Sequence, residues 1–224
     1  MRPGLFIAGI GLAAVAAASV VLLRRRDESH RREHAAQFGW KPANDLENEL
    51  QDRLRGLTLM QVGHSRCVEF VFRADDGLYL FPYLCETGVE RRRQLHRWVV
   101  AVAEMPHQRS FALISSQAWL MAAAHLPGRT RKSLSATSGS SAGLTVLVED
   151  EQDWKALQSP AVSEWLHGQP ATRSWECHGN LLVGYDPGPI SDAGFRDLPN
   201  DLRQFRQLLR SHAEARSLTS AGSV

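Results

Sequence analysis

The sequence predicts an α+β protein: an N-terminal transmembrane helix, then a mainly antiparallel sheet of about seven or eight strands with inserted and C-terminal helices. Three observations carry this. An uncharged apolar run opens the chain. The hydrophobic period changes from helical to two after Gly56. Turn-forming glycines, at Asp75-Asp76-Gly77 and Gly179-Asn180, then divide short runs rich in β-formers.

Behind a flank of residues 1–4, Leu5 to Leu23 read LFIAGIGLAAVAAASVVLL, 19 residues with Ser19 as the one polar side chain. As a helix they span about 28 Å, close to the hydrocarbon thickness of a bilayer, and a helix satisfies its own backbone polar groups there. Arg24, Arg25 and Arg26 follow at once, with Arg31 and Arg32 further along a charged stalk of residues 24–38; only Arg2 and the terminal amine stand on the other side. The positive-inside rule therefore places the C-terminal domain in the cytoplasm, as part of a single-pass inner-membrane protein. The rival reading is a signal peptide cleaved after Ala16-Ala17-Ala18, with an extracytoplasmic envelope domain behind it. Cleavage there leaves SVVLLRRR as the new terminus, and arginines in that position resist translocation.

The 224 residues carry 26 basic and 24 acidic side chains, a net charge of +2, so no overall field favours nucleic acid as a partner. The arginines beside the apolar run suit anionic lipid headgroups instead. Cys67, Cys85 and Cys177 form an odd set with no C-x-x-C, as suits a reducing cytoplasm.

Residues 39–216 read as one α+β domain. Leu46, Leu50 and Leu54 recur every fourth residue, one stripe of a short helix that Gly56 stops. Residues 57–63, 67–74 and 78–84 follow as strands, the last demoted to an edge or bulge by Pro82. A long valine-rich strand ends at Met105 before Pro106, and residues 110–116 form another. A short apolar helix over 117–126 precedes a flexible loop, residues 127–143. Then come a strand over 144–150 and helical segments broken at Pro160. A tight hairpin over 174–186, a helix opening at Asp197 and a disordered tail at 217–224 complete the chain.

The Gly39-Trp40 pair, the Phe70-Val71-Phe72 run, Pro106 after its valine-rich strand, and Glu176 to Gly179 followed by Leu181-Leu182 together resemble a loose group of uncharacterised bacterial proteins. These have a single membrane anchor, a basic stalk and a compact strand-rich domain. The resemblance implies architecture and no activity.

Cys177 beside His178 is the most chemical-looking pair, and a thiol-dependent enzyme or redox protein is the alternative it raises. Neighbouring strand residues point to opposite faces, however, so a buried, inert thiol is favoured, with Trp175 and Cys177 facing the core and Glu176 and His178 outward. His64, Cys67, Cys85 and His96 lack the close-pair spacing of structural zinc, so no metal or cofactor is expected. Arg91, Arg92, Arg93 and Arg97, beside Trp98, form a basic cluster that reads first as a solvated strand or helix end and second as a phosphate contact. Trp119 with Arg129, Arg131 and Lys132 has the character of an interfacial segment, and joins Arg24, Arg25 and Arg26 as a candidate membrane-surface contact. No G-x-x-x-x-G-K-[ST], G-x-G-x-x-G or H-E-x-x-H spacing is present. The function that follows is a membrane-anchored, non-catalytic module whose cytoplasmic domain binds an unidentified protein partner or the membrane surface.

Overall fold

The computed structural model describes residues 31–89, 92–115, 130–133 and 145–221, with backbone alone for 130–133 and 215–221. The predicted transmembrane helix, Arg24 to Arg26, Arg91, and the apolar helix with Trp119 and Arg129 lie outside these residues. Among the described residues no helix is long and apolar enough to cross a membrane. The chain divides into two compact units, Met1–Lys41 and Pro42–Val224. In the first, residues 31–37 are helical, as the stalk's composition suggests. Its end is closed by the Phe38 and Trp40 amides, which donate to the Ala35 carbonyl at 3.0 and 3.1 Å.

After the two-residue strand β1 (Lys41–Pro42), where the two units meet in sequence, the second unit continues with a 3-10 turn, Asn44–Leu46, and helix α1 (Glu47–Arg53). Leu50 and Leu54 are buried, as the four-residue stripe requires. Residues 57–63 do not form the predicted strand: Thr58–Gln61 is a short helix, α2. Leu57, Leu59 and Met60 are all buried, so the run is apolar around its whole turn and its apparent alternation carries no face. The expected strand over 67–74 is two, β2 (His64–Val68) and β3 (Phe72–Arg73). Adjacent residues Val71 and Phe72 are both buried, which interrupts the alternation.

Strand β4 (Tyr79–Thr87) pairs with β3 through the predicted Asp75-Asp76-Gly77 turn. Gly77 supplies the positive φ of 81°, and the Ala74 amide donates to the Leu78 carbonyl at 2.9 Å. Pro82 does not push β4 to an edge. β5 flanks it on one side, pairing Pro82 with Val99, and β2 and β3 flank it on the other. Pro82 stands where that second side passes from β3 (Phe72 opposite Leu80) to β2 (Val68 opposite Tyr83), so its missing N–H falls at a gap in the ladder.

The two strands expected on either side of Pro106 are one, β5 (Gln94–Ile114). The expected hairpin over 174–186 is likewise a single strand, β8 (Ser174–Pro187). These pair antiparallel along their length, with an irregularity between Glu104 and Arg109 opposite Gly179 and Leu181. Gly179, with φ of 60°, therefore bends β8 without reversing it; both strands turn together. β6 (Thr130–Ser133), inside the stretch read as a loop, pairs antiparallel with β7 (Thr145–Val148), which pairs with the second half of β5. Arg131 and Lys132 thus sit on a sheet edge. Among the described residues, the seven strands β2–β8 of this unit make one antiparallel sheet, with order β3-β4-β5-β7-β6, β2 beside β4 and β8 beside β5.

Both faces are covered. On one, Leu50, Leu54, Leu57 and Leu59 pack over Tyr83, Trp98, Val100, Val102, Ile114 and Val183. The other carries α3 (Glu151–Leu157), α4 (Pro160–His167) and the long α5 (Asp192–Ala221). α3 is capped by the Asp150 side chain, and Pro160 opens α4 at its first position rather than breaking one helix. α5 starts five residues before the expected Asp197: the Gly194 amide donates to Ser191 Oγ at 3.2 Å, and Pro199 lies within the helix. It also continues through residues 217–221, read as tail. Its Leu198, Leu202, Phe205 and Leu209 are fully buried. Phe205 stacks on Trp165 at 4.6 Å and meets Trp175 and Phe111 edge-on, each burial contributing about 1.5–3 kcal/mol.

Candidate functional site

The thiol alternative resolves first. Trp175 and Cys177 are both fully buried, on the α5 side of β8. Glu176 does not face outward, as expected, but is wholly buried. Its carboxylate accepts from the Thr58 amide at 2.6 Å, the Leu59 amide at 3.1 Å and the Tyr185 hydroxyl at 2.8 Å. One acidic side chain thus starts α2, which explains why residues 57–63 turn instead of extending. His178 points to the same face, its ring packed where a side chain on Gly56 would stand. Cys177 and His178 therefore diverge. Cys85 is also buried, and partial burial, with Glu69 and Glu47 nearby, pushes the Cys67 thiol above its ordinary range. His96, opposite Cys85 in the β4–β5 ladder, shares a 2.7 Å hydrogen bond with Thr87 Oγ1.

A serine spacing escapes the motif inventory above: Gly139-Ser140-Ser141-Ala142-Gly143 fits G-x-S-x-G. It lies outside the described residues.

A groove of about 390 Å³ opens at the bend of β5, lined by His107, Gln108, Arg109, Gln152, His212 and Glu214 among others. Asp153 closes its floor: it accepts from Arg109 Nη1 at 2.9 Å and from the Ser110 amide at 2.8 Å. Arg109 also reaches the Leu209 carbonyl at 3.3 Å, so a single buried guanidinium ties β5, α3 and α5 together. Its Nε–H is buried and has no hydrogen-bond partner among the described residues. No sequence motif points to this groove, because its members come from three distant segments.

The basic cluster takes a definite place. Arg92, Arg93 and Arg97 lie at the β4–β5 hairpin, and all three are exposed. The turn is built: Gly88 holds φ of 79°, the Arg92 amide donates to the Val89 carbonyl at 3.1 Å, and a side chain on Gly88 would stand 2.3 Å from the Arg92 carbonyl oxygen. His64 braces it from β2, sharing a 2.8 Å hydrogen bond with the Gly88 carbonyl. Glu86, in β4, lies 3.9 Å from Arg93 and 3.6 Å from His64, and the sequence puts a second acid, Glu90, between the two strands. Val89, 74% exposed, and Leu95, 57% exposed, are the large apolar side chains most open to solvent among the described residues, and both belong to this hairpin. The arginines were legible in the sequence; the two apolar residues were not, since nothing in an isolated Val or Leu signals exposure.

No family model and no curated protein matches the chain. Its fold is similar to the crystal structure of the mycobacterial trehalose monomycolate transport factor A, TtfA, with a TM-score of 0.53 and 14% identity, over 80% of this chain and 92% of that one.

Proposed function

We propose that this protein is a membrane-anchored, non-catalytic interaction module. Residues 5–23 hold it in the inner membrane, and the α+β domain acts by contact in the cytoplasm. The observation that carries the reading is the apolar run with its arginine flank, followed by a fold similar to that of a protein titled a transport factor. Tethering raises the local concentration of such a domain near a partner protein or anionic headgroups, so weak contacts suffice.

The test is topology. Reporters active only in the cytoplasm or only after export are fused in turn after Val224. Cytoplasmic activity alone, with the chain retained in the membrane fraction, supports the reading; export activity overturns the orientation. Thiol labelling addresses the enzymatic alternative. In the folded protein Cys67 reacts, while Cys85 and Cys177 react only after unfolding; rapid labelling of native Cys177 would restore thiol chemistry.

A second reading has one observation in its favour. The groove at the bend of β5 is lined by amide, imidazole and carboxylate groups, a lining suited to a polyhydroxyl group such as the trehalose named in TtfA's title. Titration with trehalose then raises Tm, and Gln152→Ala reduces the rise. An unchanged Tm at high sugar concentration overturns this reading.

A further inference from the structure

We propose that the β4–β5 hairpin is a membrane-docking element that takes the anionic surface of a bilayer as its partner; this deepens the tethered-module reading and rests on it. The argument begins with alternation. Residues two apart on an extended strand share a face, so Leu95 and Arg97 lie together where β5 begins, and the exposed Arg93 stands just before the strand. Val89 caps the turn, with Arg92 three residues on. Gly88 and the His64 hydrogen bond hold the β4 side of the hairpin in place beside these two apolar side chains.

Charge selects the partner. Arginines flanking exposed apolar side chains reproduce the pairing of an interfacial contact: the hydrocarbon parts enter the headgroup boundary and the guanidinium groups stay at phosphate level. Arg92, Arg93 and Arg97 are each exposed, while Glu86 is held between Arg93 and His64. Lipid phosphates are the polyanion that a tethered domain meets at highest concentration. A protein groove could bury Leu95 equally well, but it would not need three arginines spread along the turn and the start of the strand.

The full chain is reconstituted in nanodiscs of phosphatidylcholine alone and of an equal mixture with phosphatidylglycerol. It carries Cys67→Ser and Val89→Cys, with an environment-sensitive fluorophore at position 89; the buried Cys85 and Cys177 stay unlabelled. The expected result is a blue shift in anionic discs, absent from neutral ones and reversed by salt. The docked-to-free ratio should fall roughly fivefold per arginine when Arg92, Arg93 and Arg97 are replaced by glutamine, with unchanged thermal unfolding. Leu95→Ser should lower it too. Identical emission in both discs, or a shift indifferent to the arginine replacements, overturns the proposal, as does a shift that needs cell extract rather than lipid. A chain that never enters the discs contradicts the tether instead; added to anionic vesicles, the same labelled chain then tests the hairpin by itself.

Discussion

The two ends of β5 obey the same alternation and meet opposite fates. From Trp98 to Ala103 and from Phe111 to Ile114, every side chain is buried, because helices cover both faces of the sheet. From Gln94 to Arg97 the same strand has run past that cover: Leu95 is exposed, and arginines stand on either side of it. Burial here is a property of what lies over a strand, not of the strand's own sequence. Among the described residues, the end that no helix covers is the end with charge and apolar surface to offer.

The largest expected effect breaks the covered end. Phe205→Ala removes the ring between Trp165, Trp175 and Phe111, and should cost about 3–5 kcal/mol in urea unfolding. Next is Glu176→Ala, which leaves two buried amides and the Tyr185 hydroxyl without their acceptor; about 2–4 kcal/mol should be lost, with Glu176→Gln milder. Smaller still is Arg203→Gln. Burial pushes the Asp76 carboxyl up, but the Arg203 hydrogen bond and charge, with the Leu78 amide and Arg206, outweigh it and hold the group below its ordinary range. A depressed folded pKa stabilises above the unfolded carboxyl's range, and that stability is lost as pH falls through the folded value. The variant should therefore cost under about 1 kcal/mol at neutral pH, since both partners are partly exposed, and nothing once acid has protonated Asp76. The smallest effect sharpens the comparison: Leu95→Ser should change stability by no more than about 0.5 kcal/mol while weakening docking to anionic lipid.

What the sequence made legible follows the same division. The Asp75-Asp76-Gly77 turn, the Leu50 and Leu54 stripe and the division of the helical segments at Pro160 were readable because local chemistry decides them. Residues 57–63 were misread because their helix is started by Glu176, more than a hundred residues away. Gly179-Asn180 has the composition of a turn, yet β5 carries its own extra residues between Glu104 and Arg109, and the pair bends as one. The Arg92, Arg93 and Arg97 cluster was visible as charge. Its neighbours Val89 and Leu95 gained meaning only once the cover over the rest of β5 was known.

The long pairing of β5 with β8 also sets an order of assembly. In β5, Trp98 to Glu104 and Arg109 to Leu113 wait for partners made much later, Leu113 for Trp175 and Trp98 for Pro187. The β4–β5 hairpin needs no such delay, since Thr87 and Gln94 close across a short turn. During synthesis the hairpin can therefore be in place while one edge of β5 still lacks its neighbour. An emerging chain already held at a bilayer would meet the membrane with its basic tip before its core has closed.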